Sequence, residues 1–212
     1  ATNSYNTAVG HGTGGNITTG IQNTIVGALA GDALTDADFN VAVGINALTS
    51  DTLGCMSTAI GDNALAAQNL TTATNTFNVA VGISAGKAVT TGIQNTIVGA
   101  LAGDVLTDAD ANTVLGYAAL SSDTLGSSST AVGYAALHNQ NFTTATTSYN
   151  TAVGASAGVA VTTGVDNTLI GALAGDALDV GNSNTAVGAH TLSADTKGDR
   201  NVAIGRAALQ VQ

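Results

Sequence analysis

Residues 6–10 read NTAVG, and variants of this five-residue phrase recur twelve times along the 212-residue chain. Each copy has Asn or Ser, then Thr or Val, then a small or aliphatic residue, then Val, Ile or Leu, and then Gly. The copies end at Gly10, Gly27, Gly44, Gly61, Gly82, Gly99, Gly116, Gly133, Gly154, Gly171, Gly188 and Gly205. A short, regular period of β-branched residues is the signature of a solenoid.

The spacing of the phrase contains a second, longer period. The steps between successive phrase glycines follow the order 17, 17, 17, 21, and one such set of four steps makes a super-repeat. The super-repeat occupies 6–77, 78–149 and, in a shorter form, 150–212. We therefore predict an all-β protein, a parallel β-solenoid or β-roll of twelve coils that forms a single domain over 1–212.

The two ends of the sequence do not look like solenoid caps. A solenoid normally ends in an atypical repeat with a polar outer face. This chain opens on ATNSY and stops at AALQVQ, and both fit the internal repeat. We expect either a fragment of a longer array or a subunit whose copies stack head to tail.

The composition excludes several kinds of partner. The net charge is −10, and the basic residues are only Lys87, Lys197, Arg200 and Arg206. Nucleic acids and anionic membranes need a basic surface, so neither is an expected partner. No apolar run has the length of a membrane-spanning helix. Cys55 is the only cysteine, so we expect it to be a small buried residue and not part of an internal disulfide.

The four positions before each phrase glycine form columns along the predicted solenoid. The aliphatic column, one residue before the glycine, is always Val, Ile or Leu, and we predict that it is buried. The threonine column, three residues before, is Thr or Val and shares that face because side chains alternate along a strand. The alanine column, two residues before, points to the opposite face and is also apolar. One face can line the coil's interior, and the other then needs a second layer, most simply another copy of the chain.

The asparagine column, four residues before the glycine, is Asn in ten coils and Ser at 57 and 129. Stacked asparagines can form a hydrogen-bonded ladder between coils. The predicted structural repeat positions are represented by Asn6, Val9, Gly10, Asn23, Val26, Gly27, Asn78, Val81, Gly82, Asn150, Val153 and Gly154.

The phrases NTAVG (6–10, 150–154 and 184–188) and STAVGYAAL (129–137) resemble the head repeats of trimeric autotransporter adhesins. They are also similar to repeats in tail-fibre and other virion proteins of tailed phages. The resemblance covers essentially the whole chain. It implies a left-handed parallel β-roll with three chains around a common axis, a surface-exposed adhesive protein, and no catalytic residues.

An acidic cluster is the strongest candidate for a metal site. Asp32, Asp36 and Asp38 recur one super-repeat later as Asp104, Asp108 and Asp110. Carboxylates two and four residues apart on a turn could hold Ca²⁺, which prefers several hard oxygen ligands. The alternative is that they supply solubilising charge and turn-forming side chains on an exposed edge. Apart from this calcium hypothesis, we expect no metal or cofactor.

The remaining candidate residues do not form a catalytic pattern. His11, His138 and His190 stand in different columns, and no Ser-His-Asp set or carboxylate pair recurs. Tyr117 and Tyr134, like Arg206, directly follow a phrase glycine, and we expect them to be exposed. Aromatic residues also precede the asparagine column at Tyr5, Phe39, Phe77 and Tyr149. Exposed aromatic rings could stack on sugar rings or cover the longer turn.

These observations predict a non-enzymatic structural protein, a rigid fibre that self-associates outside the cell, on the cell surface or on a virion surface. The expected partner is another copy, with a trimer implied by the resemblance. One alternative is an adhesin or tail-fibre head that binds a glycan or receptor through its turns. Another is an ice-binding solenoid, which would present a rank of exposed threonines. The expected burial of the threonine column argues against ice binding.

Overall fold

The computed structural model describes residues 3–211, and these form an all-β parallel β-solenoid of about twelve turns. No helix occurs within the described range. The predicted fold class is confirmed at this level. Ala1, Thr2 and Gln212, which the head-to-tail interpretation uses as the ends of the chain, lie outside the described residues.

Sixteen short strands follow one another along the chain. They are β1 (Thr7–Val9), β2 (Thr24–Val26), β3 (Val41–Val43), β4 (Gly54–Cys55), β5 (Thr58–Ile60), β6 (Thr74–Asn75), β7 (Val79–Val81), β8 (Thr96–Val98), β9 (Thr113–Leu115), β10 (Gly126–Ser127), β11 (Thr130–Val132), β12 (Thr146–Thr147), β13 (Thr151–Val153), β14 (Thr168–Ile170), β15 (Thr185–Val187) and β16 (Val202–Ile204). Twelve of them, one from each phrase, form a single parallel sheet.

The twelve strands pair in the register of the sequence repeat. Thr7 pairs with Thr24, and Val9 pairs with Val26. The register is unchanged across the longest step of the repeat, where Thr58 pairs with Val79. The longer coils instead form extra two-residue ladders at another edge of the solenoid, β4 with β6 and β10 with β12. The phrase therefore sets the register, and the additional residues are absorbed in the turns.

The interior of the solenoid is narrow and built mainly from alanine and leucine. The alanine column is buried in every coil from Ile25 to Ala203. Leu48 and Leu65 fill the interior opposite it in two neighbouring coils. In other coils a glycine replaces this leucine, and larger side chains take the space. A Cβ atom added to Gly31 would lie 2.8 Å from Leu34 Cδ1 and 3.2 Å from Ile25 Cδ1.

The aliphatic column does not line this interior, so the prediction that it is buried is wrong for the single chain. The alanine column faces inward, and the aliphatic and threonine columns face outward together. The physical reason is the limited width of the interior. The alternation of side chains allows only one of the two faces to point inward, and the face with the smaller side chains fits the narrow interior that the leucines already fill.

Candidate functional site

The outward face of the twelve-stranded sheet carries the aliphatic column and the threonine column side by side. No residue of either column is buried. In the aliphatic column, Val9 is 59% exposed, Leu115 is 48% exposed and Ile170 is 39% exposed. With about 4.8 Å between neighbouring strands, the column extends over roughly 50 Å. This outward sheet face is the candidate functional surface.

The threonine column gives the same face a regular set of hydroxyl groups. It holds Thr in nine coils, and Val41, Val79 and Val202 replace it in the other three. None of these threonine hydroxyls donates a hydrogen bond to another residue within 3–211. They are therefore available to water or to a partner molecule.

The outward sheet face carries no charged side chain, because neither column contains Asp, Glu, Lys, Arg or His. Burying an unpaired charge is costly, whereas burying aliphatic and hydroxyl groups is much less so. The chain's charge of −10 is placed on the turns instead. This face can consequently be covered without desolvating a charge.

Beside this face, the asparagine column forms the predicted ladder, although most of its bonds join side chains to the backbone. Asn6 Oδ1 accepts a hydrogen bond from the backbone N–H of Asn23 at 2.8 Å. The side-chain amide of Asn23 donates to the carbonyl of Ala37 at 2.7 Å. Asn40 continues the pattern, with its N–H donating to Asn23 Oδ1 at 2.9 Å. Each asparagine thus ties three successive coils together and holds the sheet edge in place.

Where Ser57 replaces asparagine, a buried glutamine completes the ladder. Gln68 Nε2 donates to Ser57 Oγ at 2.8 Å, and Gln68 Oε1 accepts from Asn78 Nδ2 at 2.9 Å. Ser57 Oγ also lies 2.6 Å from Thr76 Oγ1. The shorter serine leaves a space in the ladder, and the glutamine fills it.

The same glutamine hydrogen-bonds a buried aspartate. Gln68 Nε2 donates to Asp51 Oδ2 at 2.5 Å, and the N–H groups of Gly54 and Leu70 donate to Asp51 Oδ1 at 3.0 and 3.1 Å. Sequence reasoning missed this network. The sequence did contain a signal for it. Asp51 and Gln68 occupy equivalent positions of successive coils, and the neighbouring coils have Leu or Val there, as at Leu34.

The calcium candidates do not assemble into a metal site. No group of three or more Asp, Glu, His or Cys side chains within residues 3–211 could share a metal ion. Their carboxylates instead accept hydrogen bonds from adjacent coils. Asp32 accepts from Thr49 at 2.6 Å, Asp36 from Thr19 at 2.5 Å and Asp38 from the N–H of Ile21 at 2.7 Å.

The second acidic turn follows the same pattern with one difference. Asp108 accepts from the Thr91 hydroxyl at 2.6 Å, and Asp110 accepts from the N–H of Ile93 at 2.7 Å. Asp104 Oδ1, however, is enclosed and has no hydrogen-bond partner among the described residues. Apart from Asp104, these aspartates are therefore parts of the turns, placed one coil from their donors.

Cys55 is buried, as predicted, and is a free thiol. Its sulfur accepts a hydrogen bond from the N–H of Asp38 at 3.3 Å. Burial raises the pKa of the Cys55 thiol, and the nearby Asp38 and Asp51 carboxylates add to the rise. A thiol that stays protonated is a poor nucleophile, so Cys55 has a structural position.

The other candidate residues do not form a shared catalytic or metal site within residues 3–211. Tyr117, Tyr134 and Arg206 are exposed, as predicted. The aromatic residues before the asparagine column are exposed too, and each has a positive φ, such as 51° at Phe77. They stand at a corner of the coil. His11 and His190 are in other coils from His138, and within residues 3–211 no histidine belongs to a group of possible metal ligands.

No protein-family model matches the chain, and no curated protein matches it. No helix in residues 3–211 is both long and apolar enough to cross a membrane.

Proposed function

We propose that this chain is a non-enzymatic structural repeat protein that self-associates into a rigid fibre outside the cell, on the cell surface or on a virion. The observation that carries the proposal is the aliphatic column on the outward sheet face. It runs the length of the described solenoid without being buried in any coil. Monomeric proteins rarely expose continuous apolar patches of this extent, and such patches mark association surfaces.

The free energy gained by burying the aliphatic column is large enough to favour association through this face. Fully burying a Val, Ile or Leu side chain contributes about 1.5–3 kcal/mol, and these side chains are already partly covered by their own chain. Even about half of that gain, summed over twelve coils, is comparable to or larger than the roughly 4–15 kcal/mol that association costs in lost freedom. No charge has to be desolvated, so the opposing costs are the lost freedom and the desolvation of the threonine hydroxyls.

We propose three parallel chains whose outward sheet faces meet at a common axis, with the super-repeat placing like coils at like heights. The resemblance of STAVGYAAL at 129–137 to adhesin and virion repeats supports the trimer and the surface location. Rigidity is supported by the buried asparagine ladder and by the absence of Pro, which would interrupt the parallel ladders.

Sedimentation velocity and negative-stain electron microscopy test self-association. We expect the wild-type chain to sediment with a mass of about three chains and to form thin rods. The variant Leu115→Glu/Ile170→Glu places charges on the outward sheet face and should be monomeric. Val180→Glu is the control, because Val180 has nearly the same exposure as Ile170 but lies outside the sheet.

A wild-type chain that stays monomeric at micromolar concentration would overturn the proposal. The proposal would also be overturned if the Val180→Glu control dissociated as much as the Leu115→Glu/Ile170→Glu variant. Filaments much longer than one solenoid would support head-to-tail stacking as well as lateral association.

Ice binding is a second candidate, because the expected burial of the threonine column, one of two arguments against it, is wrong. The other argument stands, since Val41, Val79 and Val202 interrupt the threonines. The threonine column is not buried, and its hydroxyls repeat on the outward sheet face at the strand spacing of about 4.8 Å. Thermal hysteresis in dilute solution tests this hypothesis. We expect Thr96→Lys to abolish hysteresis if the face binds ice, whereas Thr91→Lys, on a turn outside the sheet, should preserve it. Absence of hysteresis in a monomeric sample rejects the candidate.

A further inference from the structure

A groove of about 460 Å³ lies beside Tyr117 and Tyr134, outside the twelve-stranded sheet. Its volume falls in the range of small-molecule sites. Residues of four successive coils line it, from Leu101 and Asp104 in the first to Ser156 and Val159 in the last. It is thus a surface groove that follows the solenoid axis and does not involve the outward sheet face.

The two tyrosines form an exposed aromatic wall. Their ring centroids are 5.7 Å apart and their planes differ by 11°, so the rings stack on each other. Tyr117 is 52% exposed and Tyr134 is 61% exposed. In the neighbouring coils the same position is Ala100 and Ala155, which leaves the outer face of each ring uncovered.

The aromatic pair interrupts the repeat. The equivalent residues one super-repeat earlier are Ile45 and Asp62, and those one super-repeat later are Ala189 and Arg206. Neither of these two equivalent pairs offers an aromatic surface. A purely structural role at this position would not need the tyrosines, since the other coils are built without them.

Two small residues line the groove where longer side chains occur in the earlier super-repeat. Ala118 and Ala135 stand where Asn46 and Asn63 occur one super-repeat earlier. In that earlier copy the Asn46 amide donates to Asn63 Oδ1 at 3.4 Å, so two longer side chains occupy the space. The alanines leave it free beside the tyrosine rings.

Among its described residues, the groove also contains one unsatisfied polar atom, Asp104 Oδ1. In the earlier copy, the Thr49 hydroxyl donates to Asp32 Oδ1 at 2.6 Å. Here the equivalent Ser121 hydroxyl bonds with His138 Nδ1 at 2.7 Å, and Asp104 Oδ1 is left enclosed without a partner among the described residues. Oδ1 is closed to solvent, so a ligand hydroxyl in the groove would reach the Asp104 carboxylate through its other oxygen, Oδ2.

The charge of the groove limits the class of ligand. Among the described residues that line it there is no Lys or Arg, and Asp104 is the acidic one. Burial raises the pKa of the Asp104 carboxyl, as expected for a poorly solvated acceptor. Lys87, at the equivalent position one coil earlier, partly offsets the charge of Asp104. The described lining itself offers no cation to an anionic ligand, so a neutral ligand fits it better. The two rings face each other, so they do not form the enclosing cage that a quaternary ammonium group needs.

We propose that this groove binds a neutral saccharide. The apolar C–H face of a pyranose ring would lie on the tyrosine pair, and a ring hydroxyl would donate to Asp104 Oδ2. Ser121 and His138 offer further polar contacts along the groove. Several sugar units in a row suit a groove that spans four coils. This site is separate from the surface proposed for self-association, so either proposal can fail without the other.

The test begins with the full chain on an array of neutral oligosaccharides built from hexoses, deoxyhexoses and N-acetylhexosamines. Oligosaccharides that bind are then titrated calorimetrically. We expect Tyr117→Ala/Tyr134→Ala to weaken binding by at least about tenfold, because the stacking surface is lost. Asp104→Ala removes both carboxylate oxygens at a position that is Ala66 in another coil, and it should weaken binding by about tenfold.

Two matched controls keep the test specific. Asp176 is the equivalent aspartate one super-repeat later, and its Oδ1 also has no partner among the described residues, but no tyrosine stands beside it. Asp176→Ala and the exposed Tyr149→Ala should leave affinity unchanged. The tyrosine variants should retain the wild-type unfolding midpoint and the wild-type sedimentation mass, because alanine occurs at this position in other coils.

The proposal is overturned if no neutral oligosaccharide binds at millimolar concentration, or if binding survives the double tyrosine substitution. It is also overturned if only anionic sugars or quaternary ammonium compounds bind.

Discussion

The side-chain amide of Gln140 donates a hydrogen bond of 2.6 Å to Asp123 Oδ2, and both side chains are fully buried. Gln140 Nε2 also donates to Ser129 Oγ at 2.8 Å, and Gln140 Oε1 accepts from Asn150 Nδ2 at 2.8 Å. The same arrangement joins Asp51 and Gln68 in the earlier coils. One glutamine therefore satisfies three buried polar groups at the point where serine interrupts the asparagine ladder.

Replacing this glutamine should be among the most destabilising changes in the chain. Gln140→Leu leaves the Asp123 carboxylate and the Asn150 amide without one partner each, and we expect a loss of about 3–5 kcal/mol in the free energy of unfolding. Urea unfolding followed by circular dichroism measures it. Asn139→Leu, at the exposed neighbouring residue, should change stability by less than about 0.5 kcal/mol. Equal effects of the two substitutions would contradict the network's importance.

The phrase glycines should tolerate a methyl group only where no coil lies above them. A Cβ atom on Gly82, which has a φ of 137°, would lie 2.5 Å from Gly99 O and 2.6 Å from its carbonyl carbon. Gly205 has a φ of 115°, but nothing lies within 4 Å of its Cβ position. We expect Gly205→Ala to cost about 1–3 kcal/mol from backbone strain alone.

Gly82→Ala should cost more than Gly205→Ala, at or above about 4 kcal/mol, because the clash is with backbone that cannot rotate away. Chemical unfolding of the two variants under identical conditions gives the comparison. A Gly82→Ala variant as stable as Gly205→Ala would show that the coils can separate locally at little cost.

The asparagine column should contribute through its bonds to the backbone. Asn95 Nδ2 donates to the Ala109 carbonyl at 2.7 Å, and Asn95 Oδ1 accepts from the N–H of Asn112 at 3.0 Å. Asn95→Ala leaves both buried backbone groups without partners, and we expect it to cost about 2–4 kcal/mol. Asn75→Ala, at an exposed strand residue, is the control. Thermal unfolding of both variants provides the measurement, and a neutral Asn95→Ala would rule out the ladder as a source of stability.

The Cys55 thiol should make stability depend on alkaline pH. Its side chain is 8% exposed, and burial raises its pKa in the folded chain. Because the folded pKa is raised, this contribution to stability is fully present below the ordinary thiol pKa of about 8.5 and is lost as the pH rises through the folded value.

Cys55→Ser should therefore flatten the alkaline part of the curve of unfolding free energy against pH. The serine is expected to fold normally, because Ser127 holds the position one super-repeat later and accepts from the Asp110 N–H at 2.9 Å. At a mildly alkaline pH the native Cys55 thiol should react with a maleimide far more slowly than the unfolded chain. Equal rates in the two states would contradict the burial argument.

Much of the architecture could be predicted from the spacing of one phrase. The recurrence of NTAVG and its variants at nearly constant steps leads to in-register parallel strands, because each phrase stacks on the phrase of the next coil and the turns absorb the extra residues. The exposure of Tyr117 followed from its place after a phrase glycine, and the burial of Cys55 followed from its being the only cysteine. The groove beside Tyr117 could not be predicted, since it depends on residues from several columns and coils that meet only in the folded chain.

What the sequence by itself determined is the coil, its period and the apolar character of both faces of each strand. What only the tertiary structure decided is which face turns inward. Alternation along a strand puts Ala42 opposite Val41 and Val43, but it does not say which side is the interior. The structure turns Ala42 inward because Leu48 and its counterparts already fill a narrow coil, and this choice leaves the valines on the outward sheet face.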